Sequence, residues 1–265
     1  MNLSFLNELL PLWAACEFPQ GLAFLPTRNQ TLPAHPKSVI VAAFPYLLPE
    51  ELYAGRNIAR YAVPRDYHQV AGERLGQACE LLRTHFPDEE FVHFCDHSPL
   101  PEVALAEHAG LGFRGRHNLL ITKKYGSWVV LGEIITSAAL PKTTNQELRV
   151  ANCDGCPAPC IKICPTGALG DDGFDKFKCL SYLSQRKDEL TPEAAKHLHD
   201  MQSSWGCDLC QEVCLSNRNV TIDPLPEFLE SANPVLSGET PIEDRAYHWR
   251  GRAVLGRNIK NLTGG

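Results

Sequence analysis

The chain has 265 residues, of which 44% are hydrophobic and 21% are charged, a composition that is ordinary for a globular protein with one large domain or two modest ones. Its formal net charge of −6 argues against wholesale coating of nucleic acid but leaves room for a local basic site. No run approaches the ~20 consecutive apolar residues of a membrane span. The first 18 residues include Glu8 and have no basic start, so we predict an amphipathic helix rather than a signal peptide, and a cytoplasmic protein.

The first part of the chain alternates strand-like and helix-like patterns, which predicts an α/β domain with a mixed sheet over residues 1–148. In chain order we expect a strand at 38–44, a helix at 69–86, a strand at 90–95, a helix at 101–109 and β-rich runs at 118–122 and 127–137. The last two runs flank Tyr125-Gly126, which we interpret as a hairpin turn.

From residue 149 the pattern changes to short helices and loops, as expected where bound metal rather than an apolar core organises the fold. We predict a second domain over 149–220, and then a proline-bearing linker and a basic C-terminal helix over 221–265. The helix is expected near 245–262, and its cations are Arg245, Arg250, Arg252, Arg257 and Lys260. These side chains either contact an RNA backbone or form a solvated helix face, and the sequence leaves both readings open.

Eight of the eleven cysteines lie within the 62 residues from 153 to 214, and in a reducing compartment such clustering indicates metal binding rather than disulfides. Short spacings present thiolates to [4Fe–4S] clusters, and in the bacterial run the fourth cysteine, which precedes proline, ligates the other cluster. This crossing rule assigns the first cluster to Cys153, Cys156, Cys160 and Cys214. The second cluster then takes Cys164, Cys179, Cys207 and Cys210.

Three residues, Pro157-Ala158-Pro159, separate the second and third of these cysteines, where the usual run has two. We expect a rigid bulge that the loop absorbs. Paired cysteines also suit a tetrahedral zinc site, which is the alternative. The run Cys-Pro-Thr-Gly-Ala at 164–168 is a ferredoxin-like signature that two zinc sites would not explain, so we predict two [4Fe–4S] clusters.

Five motifs occur in a fixed order along the chain, and together they resemble the epoxyqueuosine reductase family over roughly residues 25–220. They are the stretches 59–68 (ARYAVPRDYH), 95–102 (CDHSPLPE), 109–121 (AGLGFRGRHNLLI), 126–134 (GSWVVLGEI) and the pair 179–183 (CLSYL) and 206–214 (GCDLCQEVC). The resemblance implies an α+β protein in which a mixed-sheet α/β corrinoid-binding domain precedes a bacterial dicluster ferredoxin-like domain. It also implies a cobalamin-dependent iron–sulfur oxidoreductase, akin to reductive dehalogenases, that reduces an epoxide to an alkene in a modified tRNA base.

Asp96 matches the catalytic acid of this family. Removing an epoxide oxygen by reduction requires electrons from a metal centre and a proton for the departing oxygen. A carboxylic acid that is partly buried beside Phe94 and Leu100 would have a raised pKa and could hold that proton. The alternative role for Asp96 is a cap on the helix predicted to open near Pro99–Pro101.

The resemblance also implies a set of cofactor contacts. These are Arg60, Tyr61, His68, Gly112, Leu120, Thr122 and Ser181. The run Asp66-Tyr67-His68, with Arg60, would belong to the wall of the active site, although such a polar group is more often a surface or core feature. Gly110, Gly112 and Gly115 would let the backbone approach a flat corrinoid closely, or they would simply form turns.

Members of the family continue into a helical-repeat domain that helps to hold tRNA, whereas only 51 residues follow Cys214 here (265 − 214 = 51), so we expect a short form. Residues 250–258 resemble the first helix of that domain. We expect a monomer that takes electrons from a flavodoxin- or ferredoxin-type donor and acts on tRNA. Two alternatives remain open: a paralogue that reduces a small non-tRNA substrate, and a non-catalytic dicluster electron carrier.

Overall fold

The computed structural model describes residues 2–25, 31–96, 98–145 and 152–264. Two compact units make up the chain, and neither is continuous in sequence. The first unit comprises Met1–Pro45, His68–Gly115 and Leu119–Asn152, and the second comprises Tyr46–Tyr67, Arg116–Asn118 and Cys153–Gly265. The predicted segments 1–148, 149–220 and 221–265 are each continuous. In the structure, the cysteine-bearing unit also contains Tyr46–Tyr67 and the segment 221–265.

A five-stranded sheet, a separate pair of strands and two helices make up most of the first unit. The strands are β1 Leu12–Glu17, β2 Ser38–Pro45, β3 Phe91–Phe94, β4 Phe113–Arg114, β5 Leu120–Ile121, β6 Val129–Thr136 and β7 Thr143–Thr144, and the helices are α1 Tyr67–His85 and α2 Glu102–His108. The strand order in the large sheet is β3-β6-β2-β1-β7, while β4 and β5 form a separate pair. The helices and strands together confirm the predicted α+β class.

Every described pairing in the large sheet is antiparallel, which differs from the predicted mixed sheet. Strands β2 and β3 are both antiparallel to β6, so they run in the same direction and are joined by α1 in the manner of a split β-α-β unit. Because β6 is inserted between them, the two strands that a helical crossover makes parallel do not hydrogen-bond to each other.

Strand β2 is buried along its whole length because both faces of the sheet are covered. On one side, Val39, Val41 and Ala43 pack in one apolar cluster with Leu105 of α2 and with Leu111. Such burial stabilises a fold by roughly 25 cal/mol per Å² of apolar surface removed from water. The packed sheet therefore gives a firm position to the end of β3, from which Cys95 and Asp96 continue.

Two predicted elements of this unit differ from the observed structure. The N-terminal helix is replaced by a single 3₁₀ turn at Ser4–Glu8 and by β1, because Pro11 interrupts the run and the following residues pair with β2. The turn predicted at Tyr125-Gly126 is present, but the strands on either side of it, β5 and β6, do not pair with each other in the described sheets. Strand β5 pairs with β4, β6 pairs with β2 and β3, and the turn itself is closed by a single bridge between Thr122 and Gly126.

Short elements make up the second unit, as predicted from residue 149 onward. They are α3 Pro159–Ile163, β8 Leu169–Gly170, β9 Gly173–Phe174, α4 Leu180–Gln185, α5 Pro192–Asp200, α6 Leu209–Glu212, α7 Pro226–Leu229 and α8 Gly251–Thr263. One small apolar cluster joins α4 and α5 through Leu180, Ala194 and Leu198. The C-terminal helix α8 begins at Gly251, so Arg252, Arg257 and Lys260 of the predicted cations lie on it, whereas Arg245 and Arg250 precede it. No helix in the described parts of the chain is long and apolar enough to cross a membrane.

Candidate functional site

The eight cysteines between 153 and 214 form no disulfides, and each lies in a loop, in a short helix or at a helix end of the second unit. Cys160 is in α3, which ends before Cys164, and Cys179 directly precedes α4. Cys210 is in α6, and α3 packs against α6. Two helices that are far apart in sequence therefore bring the two ends of the cysteine-rich stretch together.

Electrostatic effects connect thiols that lie far apart in the sequence. Burial raises the pKa of Cys160, and the neighbouring Cys214 and Cys153 raise it further. Burial likewise raises the pKa of Cys214, with contributions from Cys153 and Cys156. These four residues are the set that the crossing rule assigns to the first cluster, and Cys214 is grouped with cysteines about 60 residues before it.

The remaining four thiols form the second group. Burial raises the pKa of Cys207 to about 12, with additional effects from Asp208, Cys179 and Cys164. The pKa of Cys210 is raised well above its usual value by burial and then by Cys207 and Cys179, and Cys160 of the first group also contributes. The two groups are therefore neighbours.

Each group offers four sulfur donors in a partly buried setting, which fits a [4Fe–4S] cluster. Among the described residues, no three His, Cys, Asp or Glu side chains converge tightly enough to hold a single metal ion. The ligand assignment remains a prediction that this grouping supports.

Ser181, predicted to contact a cofactor, lies in the first turn of α4. The backbone amides of Ser181 and Tyr182 hydrogen-bond to Cys179, and these bonds oppose the rise that burial causes in the pKa of the Cys179 thiol.

The extra residue in the first cysteine run is accommodated at the start of α3. Ala158 adopts a left-handed conformation with φ of 52°, and Pro159 occupies the first position of the helix. Proline suits that position because its missing N–H would be unsatisfied there anyway. The insertion thus begins the helix that carries Cys160.

In the first unit, Asp96 and His68 form the central polar pair. The Nε2 atom of His68 lies 2.9 Å from Oδ2 of Asp96, a distance at which an imidazole N–H donates to a carboxylate. The Asp96 side chain is 40% exposed, so the carboxylate is only partly buried. An imidazole beside a carboxylate at the end of a strand can hold a proton and transfer it to a bound group.

The backbone at Asp96 is constrained as well. Its φ is +64°, in the left-handed region that few residues other than glycine, asparagine and aspartate adopt. The N–H of Asp96 donates to Oε1 of Glu102 at 2.9 Å, and Glu102 opens α2. Sequence reasoning missed Glu102, although its place at the start of a predicted helix could have suggested a role in fixing the preceding loop. The alternative role of Asp96 as a helix cap is not supported, since α2 begins after Pro101 without a side-chain cap.

An open cavity of about 550 Å³ lies beside this pair, within the first unit. Its lining residues are Thr31, His68, Gly72, Val92, His93, Phe94 and Cys95. The cavity is suited to form one side of a cofactor or substrate site, with His68 and His93 among its polar lining residues. Of the cofactor contacts predicted in this unit, His68 lines it, whereas the side chains of Leu120 and Thr122 are buried. Any contact that Leu120 or Thr122 makes with a bound group would therefore use main-chain atoms.

The residues Arg60, Asp66 and Tyr67, predicted to share the wall with His68, have other partners within the second unit. Arg60 pairs with Glu50 at 2.8 Å and lies over the ring of Tyr53. The Asp66 carboxylate lies 3.6 Å from His248. The ring of Tyr67 packs edge-on against that of Tyr61, and Trp205 Nε1 donates to the Tyr61 hydroxyl at 2.8 Å.

Gly112 is required by packing within its own unit. A Cβ at this position would lie 2.3 Å from the carbonyl oxygen of Ile121 in β5, far inside van der Waals contact. Gly110 has φ of +81° and follows α2, where it ends the helix. Both glycines thus have local structural roles that do not need a corrinoid.

We expect Gly112→Ala to destabilise the protein without cofactors by about 1–3 kcal/mol, because a methyl group must displace backbone. Denaturant unfolding of the apoprotein measures the change. Gly256→Ala is the matched control, since Gly256 lies within α8 with nothing within 4 Å of the added Cβ. An apoprotein of unchanged stability would show that Gly112 serves only a bound cofactor.

Charged residues that the sequence did not point to surround the second cysteine group. Arg56 donates to Asp208 at 3.1 Å and also pairs with Glu212, and the backbone N–H of Arg60 donates to Asp208 at 2.7 Å. The Asp208 side chain is only 2% exposed, and burial raises its pKa to about 6, against the opposing effects of Arg60 and Arg56. In the sequence, the position of Asp208 between Cys207 and Cys210 was the one sign that this residue belongs to the site.

Three of the predicted C-terminal cations are engaged with carbonyl oxygens. Arg245 is buried and donates to the carbonyls of Val63 and Pro64, and Arg257 donates to that of Ser184. Arg252 donates to the carbonyl oxygens of Gly238 and Thr240. These contacts favour a structural role for the three arginines, whereas Arg250 stacks on the half-exposed ring of Trp249.

Comparison with known proteins gives matches in both parts of the chain. The family model described as "4Fe-4S double cluster binding domain" matches residues 152–217, and the one described as "Epoxyqueuosine reductase QueG" matches 27–97. An epoxyqueuosine reductase of Listeria monocytogenes is 36% identical over 247 residues, covering 84% of this chain and 62% of the relative. That of Aliivibrio fischeri is 35% identical over 198 residues, covering 72% and 52%. The chain thus spans roughly half to three-fifths of these two relatives.

Solved structures agree with these matches. A crystal structure of epoxyqueuosine reductase with an epoxyqueuosine-modified tRNA-Tyr stem loop superposes with a TM-score of 0.73 at 26% identity, covering 86% of this chain and 64% of that one. The enzyme from Streptococcus thermophilus gives 0.71 at 27% identity, with the same coverage. A reductive dehalogenase, whose structure suggests a mechanism for B12-dependent dehalogenation, superposes with a TM-score of 0.51 at 18% identity. This match shows a shared fold.

Proposed function

Because the chain belongs to the epoxyqueuosine reductase family, we propose that it reduces an epoxide to an alkene in a modified tRNA base, using two [4Fe–4S] clusters and cobalamin. The observation that carries this proposal is the combination of two four-thiol groups with a carboxylate–imidazole pair at the end of β3. The thiols suit electron transfer. The pair suits the delivery of a proton to a departing oxygen.

The residues of this chain would divide the work as follows. The two cysteine groups would hold the clusters that pass electrons to cobalamin. Cobalamin, when bound, would supply these electrons to the substrate. The epoxide oxygen leaves as water, which takes two electrons and two protons. Asp96 would donate the first proton to the departing oxygen and solvent the second, and His68 would orient the Asp96 carboxylate through their 2.9 Å contact. Glu102 would fix the backbone from which Asp96 projects.

Partners and location follow from the same chemistry. We propose a flavodoxin- or ferredoxin-type protein as electron donor, because the clusters accept one electron at a time. We propose tRNA as the substrate, on the model of the relative that was crystallised with a modified tRNA stem loop. We also propose that the protein is a monomer and that it lies in the cytoplasm, where cysteines stay reduced and available to bind iron.

The test uses anaerobically purified chain with its clusters reconstituted. We expect iron and sulfide for two [4Fe–4S] clusters, a visible spectrum of bound cob(II)alamin, and conversion of epoxyqueuosine to queuosine in tRNA when a strong reductant is added. Binding of cob(II)alamin without turnover of tRNA would favour reduction of a small substrate instead. A chain that binds iron but no cobalamin would contradict the enzyme and leave an electron carrier.

A further inference from the structure

Residues 56–60 lie alongside the loop that leads into Cys207 and Cys210, and both stretches belong to the second unit. The N–H of Ala59 donates to the carbonyl of Trp205 at 2.7 Å, and the N–H of Ser204 donates to that of Asn57 at 2.6 Å. Ile58 and Trp205 form a parallel β-bridge. A short backbone pairing therefore attaches residues 56–60 to the loop that carries two predicted cluster ligands.

Close packing reinforces this pairing at Gly206. A Cβ on Gly206 would lie 2.5 Å from the Cβ of Ala59, and φ at Gly206 is +75°. The residue that precedes Cys207 thus has to be glycine for two independent reasons, a close approach and a left-handed backbone. This contact leaves the two stretches little freedom to separate.

The side chains add a buried ion pair to the backbone contacts. Arg56 Nη1 lies 3.1 Å from Oδ2 of Asp208, and the same oxygen accepts from the N–H of Arg60. The second oxygen, Oδ1, is buried and, among the described residues, has no hydrogen-bond partner. The exposed fractions of the Arg56 and Asp208 side chains are 26% and 2%. Water therefore screens the Asp208 charge poorly, and a charge in a medium of low dielectric acts strongly on its neighbours.

We propose that the ion pair of Arg56 and Asp208 sets the reduction potential of the [4Fe–4S] cluster bound through Cys207 and Cys210. This inference rests on the proposed function only for the presence of that cluster. Asp208 lies between the two ligands in sequence, and the backbone pairing of Ala59 with Trp205 attaches the stretch that carries Arg56 to the same loop. Reduction adds one electron, taken from the external donor, and moves no proton, so the cluster with its thiolates gains one negative charge.

The sign of the effect follows from that added charge. A fixed anion disfavours reduction, and a fixed cation favours it. Arg56 and Asp208 thus act in opposite directions on the same cluster, and both are positioning residues rather than catalytic ones. The Arg60 N–H also donates to the Asp208 carboxylate, so the carboxylate keeps a hydrogen-bond partner when Arg56 is replaced.

The experiment is a potentiometric titration of both clusters, followed by EPR, on the reconstituted full chain in mildly alkaline buffer. We expect Asp208→Asn to move the potential of one cluster to more positive values, and Arg56→Gln to move the same cluster to more negative values. Arg56→Lys keeps the charge and should restore most of the wild-type potential. The other cluster should shift less in all three variants.

Lys196 and Asp200 provide the matched controls. They form an exposed pair within α5, with side chains 70% and 51% exposed. Lys196→Gln and Asp200→Asn make the same changes in charge as the test variants, but at side chains that water screens. They should leave the reduction potentials of both clusters unchanged.

Opposite shifts in the two test variants support the proposal, since a general disturbance of packing would move both in the same direction. Shifts of the same sign, or unchanged potentials with full iron content, would overturn it while leaving the proposed function intact. If Arg56→Gln does not fold, Arg56→Lys and Asp208→Asn decide the question alone. A wild-type chain without the second cluster would overturn both the proposed function and this inference.

Discussion

Replacing Asp96 by Asn is expected to reduce turnover of epoxyqueuosine tRNA by roughly 10²- to 10⁴-fold, the usual contribution of a general acid. Iron and cobalamin contents should stay at wild-type values, because Asp96 belongs to neither cysteine group. Asparagine keeps the shape and size of the side chain but cannot release a proton at neutral pH. Single-turnover kinetics with prereduced enzyme measures the chemical step directly.

Asparagine is the right replacement for a second reason. The φ of +64° at Asp96 is a conformation that asparagine tolerates and that alanine resists. An alanine variant would combine loss of the carboxyl group with backbone strain in the loop after β3. The Asn variant separates the two effects, so a slow enzyme with normal stability points to chemistry.

The control for this experiment is Asp88→Asn, which makes the same change at an exposed turn of the same unit. His68→Gln should reduce turnover less than Asp96→Asn, because His68 acts by orienting the carboxylate. A loss of cobalamin from the His68 variant would instead show direct contact with the cofactor. An Asp96→Asn enzyme that retains its rate would exclude Asp96 as the proton donor.

Much of the fold could be predicted because its main elements have strong local patterns. The continuous apolar run of β2 is buried on both faces, and α1 has buried residues at the predicted helical spacing, including Val70, Leu75 and Leu82. Prediction was wrong where pairing partners decided the structure. Residues Leu12–Glu17 became a strand because β2 offers them an antiparallel edge, which no local pattern reveals.

The same distinction applies to the candidate site. The cysteines were found because their spacing is a local feature, and the structure brings distant members of the run into two groups. Arg56 and Asp208 were missed because 152 residues separate them, and a charged residue next to a cysteine has no local signal of burial. Similarly, the resemblance implied a cofactor contact at Gly112, whereas its packing against the carbonyl of Ile121 is visible only after folding.

Replacing Cys214 by Ala is expected to remove one of the two clusters and about half of the bound iron. Under the crossing assignment, the lost cluster is the one held by Cys153, Cys156 and Cys160. The grouping of the thiols supports this outcome, since the pKa of Cys214 responds to Cys153 and Cys156. Anaerobic iron analysis and EPR of the reduced protein measure the loss.

Spectra of single-cysteine variants can decide the assignment without knowing which cluster is which. The residual spectrum of Cys214→Ala should match that of Cys160→Ala, and the spectrum of Cys164→Ala should match that of Cys207→Ala. Cys16, buried in β1, is the control, and its replacement by Ala should keep both clusters. If Cys214→Ala instead matches Cys207→Ala, each cluster is bound by a local run of cysteines and the crossing assignment is wrong. A match with Cys160→Ala would mean that each cluster ties together both ends of the cysteine-rich stretch, so that loss of iron would loosen α3 from α6.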